Sequence, residues 1–70
     1  MTVITINGER RELREGATIE VAVRAAGAPE GRGVAVALDG EVVPRGEWAT
    51  TEVREGQQVE VLHAVQGGAR

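Results

Sequence analysis

The chain has 70 residues, a net charge of −3 and no cysteine, so it makes one domain without disulfides or a cysteine metal site, near the lower size limit for a core that folds unaided. Its apolar fraction is 41%, mostly Val and Ala, with Trp48 the single aromatic residue; such small β-branched residues suit a compact sheet. The basic residues are all arginine and are scattered, which argues against nucleic acid as the main partner.

Other absences narrow the chemistry. The longest apolar run, Val34 to Leu38, is too short to span a bilayer, and Met1-Thr2-Val3-Ile4 lacks the marks of a signal peptide, so a cytoplasmic protein with no membrane partner is expected. There is no Ser, Cys, Lys or Tyr, and His63 is the single histidine. A side-chain nucleophile would have to be Thr or a carboxylate with one available imidazole. Gly31-Arg32-Gly33 lacks the Lys-Ser/Thr that completes a phosphate-binding loop, and reads as a connection. The expectation is a protein that is not an enzyme, with His63 a packed or half-exposed strand residue.

In chain order, Thr2 to Ile6 alternates, with Ile4 and Ile6 on one face. Asn7-Gly8 is a type I′ hairpin signal, and Glu9 to Leu13 returns antiparallel with Leu13 on the core face. Thr18 can cap a helix with its hydroxyl, and Ile19, Ala22, Val23 and Ala26 recur at i, i+3, i+4 and i+7. Gly27 ends the helix and Pro29 prevents its resumption. A strand is the rival reading, since Ile19, Val21 and Val23 also alternate; the cap, the stop and the alanines favour the helix.

After a loop at Glu30 to Gly33, Val34-Ala35-Val36-Ala37-Leu38 reads as a strand buried on both faces or nearly so. Asp39-Gly40 is a second hairpin turn, and Glu41-Val42-Val43 a short return that Pro44 stops or confines to an edge. Arg45 to Ala49 forms a turn that tucks Trp48 against the body. Thr51-Glu52-Val53 leads through the Arg54-Glu55-Gly56 turn to the last strand, Gln57 to Val65. There Val59, Val61, His63 and Val65 alternate against Gln58, Glu60, Leu62 and Ala64. With Val59 and Val61 inward, Glu60, Leu62 and Ala64 point outward beside the C-terminal end.

The order of hairpin, helix, hairpin, short turn and last strand, with first and last strands parallel neighbours, is that of an α+β β-grasp (ubiquitin-like) fold. It predicts a mixed sheet of four to five strands packed on one helix. The domain is expected over 1–65, and 66–70 form a tail with Gly-Gly. From Val65 to Gly68 that tail can extend roughly 10 Å, thin enough to enter an enclosed site. A terminal Gly-Gly by itself is more often a loose terminus.

Three segments together carry a resemblance: Ile4-Thr5-Ile6-Asn7-Gly8, then Val34 through Gly40 into Glu41-Val42-Val43-Pro44-Arg45-Gly46-Glu47-Trp48, then Val65-Gln66-Gly67-Gly68. Over residues 1–68 the chain resembles the ThiS-type sulfur carriers of thiamin thiazole biosynthesis. The resemblance implies a carrier, itself no catalyst, whose Gly68 carboxylate is adenylated and then converted to a thiocarboxylate, with Gly67 giving clearance. It implies an E1-like adenylating enzyme (ThiF-type) that uses ATP and Mg²⁺, a sulfur donor such as a cysteine desulfurase, and a thiazole synthase (ThiG-type) that receives the sulfur. No cofactor is expected on the carrier itself. Glu60, Leu62, Ala64, Val65 and Gln66 are the expected partner-binding residues.

Ala69-Arg70 depart from that pattern, because while they remain the Gly68 carbonyl belongs to a peptide bond and cannot be adenylated. Either a C-terminal peptidase removes them, or they are an appendage of expression, or the carrier function is lost; trimming is the working hypothesis. Two alternatives stay open on the sequence: a carrier for another pathway, such as molybdopterin or cysteine formation, and a β-grasp interaction module with an inert end.

Overall fold

The computed structural model describes residues 1–28 and 33–63. Within them β1 (Thr2–Ile6) and β2 (Glu9–Leu13) form the first hairpin, followed by α1 (Ile19–Ala25), β3 (Val34–Leu38), β4 (Glu41–Val42) and β5 (Gln58–His63). The five strands make one mixed sheet in the order β2-β1-β5-β3-β4, with β1 and β5 parallel and every other pairing antiparallel. This is the α+β β-grasp arrangement that the sequence predicts, with one helix and the chain's two end strands side by side at the centre. The expected domain boundary after 65, the Pro29 stop and most of the 30–33 loop lie outside the described residues.

Both two-residue turns have the φ > 0 pairs of type I′ geometry: Asn7 at 52° with Gly8 at 83°, and Asp39 at 50° with Gly40 at 88°. They fix the registers Ile6↔Glu9 and Leu38↔Glu41. Every side chain of each hairpin is thereby assigned to a face.

The helix forms as read, but its start is held differently. Thr18 has the extended backbone of an N-cap yet makes no side-chain cap bond. The segment after Trp48 crosses the helix start instead, and its carbonyls accept from the orphan amides: Ile19 donates to Thr51 at 2.8 Å and Glu20 to Trp48 at 3.1 Å. At the other end Gly27, at φ +77°, donates to Arg24 and Ala28 donates to Val23, a Schellman closure. Helical spacing wins over the strand reading because it buries Ile19, Ala22 and Val23 together, with Val21 left half-buried.

These residues join Ile4, Ile6, Val36, Val43, Val53, Val59 and Val61 in the core, with Leu13 packed at its margin. One expectation is corrected here. β3 is not buried on both faces: Val36 is buried, but Ala35 is exposed and Ala37 only half-buried. Alanine's small side chain tolerates either environment, so an unbroken apolar run overstated the burial.

Trp48 closes the side of the core from the end of a 3₁₀ turn, Arg45–Glu47. It is 8% exposed, its Nε1–H donates to the Val43 carbonyl at 2.9 Å, and the Arg45 guanidinium lies 5.3 Å from the ring centroid. Trp48→Phe removes that donor and part of the ring, at a cost of about 2 kcal/mol. A thermal melt then shows a midpoint about 8–16 °C lower; an unchanged midpoint contradicts the assigned role.

Candidate functional site

β5 is the strand that leads toward the C-terminal end, and its alternation divides it cleanly. Val59 and Val61 are buried at 1% and 5%, whereas Gln58, Glu60 and Leu62 are exposed, Leu62 at 68%. His63 shares the phase of the buried valines but is exposed, because the core gives out at this end of the sheet, where its cross-strand partner Val34 is only half-buried.

The registers assemble an outward face across three strands. Leu62 lies opposite Ala35, Glu60 opposite Ala37, and Ala37 opposite Val42. Val42 is 77% exposed, so β4 and β5 each present one large apolar side chain with the small Ala35 and Ala37 between them. A depression of about 90 Å³ opens there, lined by Ala35, Val36, Ala37, Val42, Glu60 and Leu62. Flanking large residues with a low floor of alanine shape a shallow apolar seat, and Glu60 adds a negative rim. Val42 was not among the candidates from sequence. Its signal was nonetheless present, since a two-residue Asp39-Gly40 turn pairs Ala37 with Val42 and turns both away from Val36.

Both edges of β5 are held where this face ends. On one side β3 pairs as far as Val34↔His63. On the other, β1 pairs through Thr5↔Gln58 and Ile6↔Val59, and the Asn7 amide donates to the Val59 carbonyl at 2.8 Å before the turn carries β1 away. The Asn7 side chain continues the ladder. Its Oδ1 accepts from the Val61 amide at 2.8 Å, and its Nδ2 donates to the Val61 carbonyl at 3.1 Å. At the start of β5 the Asp39 carboxylate accepts from the Gln58 amide at 2.9 Å and from the Gln57 side chain at 3.2 Å.

Of the residues singled out in the sequence, the structure brings Glu60 and Leu62 together on this face. Ala64, Val65, Gln66, Gly67 and Gly68 lie outside the described residues. Among the described residues no group of three His, Asp or Glu side chains is placed to hold a metal ion, and no helix is long and apolar enough to cross a membrane.

A family model described as the ThiS family matches residues 4–68, a span that takes in the first hairpin from Ile4 on, the helix, the second hairpin, β5 and the Gly67-Gly68 pair. The crystal structure of a thiamine biosynthesis protein, ThiS, from Geobacter metallireducens superposes with a TM-score of 0.76 at 29% sequence identity, covering 96% of this chain and 100% of that one. No curated protein matches significantly. With nearly its whole length accounted for by one family model and a ThiS structure of the same fold, the chain belongs to the ThiS family.

Proposed function

We propose that the working group of this protein is the carboxylate of Gly68, freed by removal of Ala69-Arg70, and that the folded body exists to present it. Membership of the ThiS family supports the broader role, a sulfur carrier in thiamin biosynthesis rather than a catalyst. A free carboxylate resists nucleophiles because it is already anionic. Attack of its oxygen on the α-phosphorus of ATP expels pyrophosphate and leaves an acyl-adenylate with a good leaving group. A sulfur nucleophile then displaces AMP, and the resulting thiocarboxylate carries sulfur to the enzyme that builds the thiazole.

The chain supplies the acyl group and the handle; an E1-like partner of ThiF type supplies ATP, Mg²⁺ and the catalytic site. A cysteine desulfurase feeds the sulfur as a persulfide, a thiol reductant splits the resulting acyl disulfide to leave the thiocarboxylate, and a ThiG-type synthase takes the sulfur. Gly67, without a Cβ, keeps the last residues narrow enough for an enclosed site. Glu60, Leu62, Ala64, Val65 and Gln66 are the residues we assign to partner binding, and we add Val42 as the second apolar contact of the docking face. The observation that carries this reading is the family match itself, which runs through Gly68 and stops short of Ala69-Arg70.

The test is to incubate chain 1–68 with its adenylating partner, ATP, Mg²⁺ and a sulfur donor, then weigh it intact. Replacement of one oxygen by sulfur is expected in 1–68 and in trimmed protein, and not in the untrimmed chain. An unchanged mass for 1–68 overturns the carrier reading.

A further inference from the structure

Asn7 does more than turn the first hairpin. In a parallel pair continued beyond Ile6↔Val59, the next carbonyl and amide of β1 would meet the Val61 amide and carbonyl. The turn at Asn7, with φ 52°, takes the main chain away at that point. The carboxamide of Asn7 fills the gap with an acceptor on one bond and a donor on the other, so it stands in for the missing peptide unit. Any of Asn, Asp and Gly satisfies the backbone of this turn, but Asn alone offers both a donor and an acceptor in its uncharged side chain.

The location matters. Val61 immediately precedes Leu62 of the docking face, and the chain runs on from it to Gly68. β3 holds the other edge of the same stretch of β5. A partner that seats Leu62 needs that side chain at a fixed angle to the rest of the docking face, and a strand held along one edge only can swing about that edge. Resting on the reading of Gly68 as the working group, we propose that Asn7 is a positioning residue: by clamping the Val61 backbone it fixes Leu62 in the docking face from which the chain runs on to that glycine.

Asn7→Gly keeps a residue suited to φ > 0 and removes the clamp. Asn7→Asp keeps the acceptor for the Val61 amide but sets a carboxylate against the Val61 carbonyl. In chain 1–68, both variants lower the protection of the Val61 amide against hydrogen exchange while retaining the wild-type circular dichroism. Activation by the adenylating partner, read as pyrophosphate release, shows KM for the carrier raised about tenfold in Asn7→Gly with kcat within about twofold, because only a fraction of molecules hold Leu62 in the docking-competent position. Asp39→Gly is the matched control: it deletes the carboxylate's hydrogen bonds at the other end of β5, keeps the backbone bond from the residue 39 amide to the Gln58 carbonyl, and leaves KM unchanged.

A purely structural role for Asn7 predicts equal effects of Asn7→Gly and Asp39→Gly on KM, and that result overturns the proposal. So does wild-type KM in Asn7→Gly when wild-type protein is activated normally. Failure of the wild-type 1–68 chain itself to be activated removes the carrier reading, and the positioning role with it.

Discussion

Leu62→Asp lowers kcat/KM for activation by the adenylating partner by about 100-fold, the loss expected of a central apolar anchor at an interface. Leu62 is 68% exposed and stands over Ala35, so its side chain contributes little to the core and is available to a partner. An aspartate there puts a charge into the seat that an apolar partner surface must desolvate, beside a Glu60 that already carries one. Stability changes little, because the position is on the solvent face; a cost within about 1 kcal/mol covers the poorer strand propensity of aspartate. Val42→Asp, across the same depression, gives a smaller loss in the same direction. Steady-state activation assays with a thermal melt of each variant make the check. Activation of Leu62→Asp at the wild-type rate refutes the docking face.

Ile19→Ala has its effect on the fold. Ile19 is fully buried at the first turn of the helix, where its side chain enters the core and its amide is held by Thr51. Truncation of a buried isoleucine to alanine costs about 2–5 kcal/mol, since lost burial is compounded by an unfilled cavity. A chain of this size commands roughly 3.5–10 kcal/mol in all. The variant should therefore melt at least about 8 °C lower and approach unfolding at ordinary temperatures. Val42→Ala, a comparable truncation at an exposed site, serves as the contrast and leaves the midpoint almost unmoved. A shift for Ile19→Ala smaller than about 4 °C would mean that the helix is not seated on the sheet as described.

How much of this was legible in the sequence depended on the range of the forces involved. The two hairpins could be read because Asn7-Gly8 and Asp39-Gly40 carry their positive φ angles locally, and the two-residue turns then dictate register. The helix could be read from spacing and from Gly27. The partners of its first amides could not, because Thr51 and Trp48 are brought there by tertiary folding while Thr18 offered a plausible local substitute. Alanine misled in β3, where a residue that fits either face cannot report which face it occupies.

The same division runs through the candidate site. Alternation along Val59 to Leu62 was enough to turn Leu62 outward, whereas Val42 required the register of β3 and β4 to be carried across to its partner. The clamp from Asn7 to Val61 joins residues 54 positions apart, and nothing in the local sequence distinguishes an asparagine that only turns a hairpin from one that also completes a sheet. The glycine pair at 67 and 68, by contrast, was plain in the sequence.

The central claim is that the Gly68 carboxylate is what the partner activates, and ATP–pyrophosphate exchange measures that step without any need for a sulfur donor. Chain 1–68 should drive exchange by the adenylating enzyme, while chains 1–67 and 1–70 should leave it at background. Equal exchange with all three, or none with chain 1–68, would contradict the account.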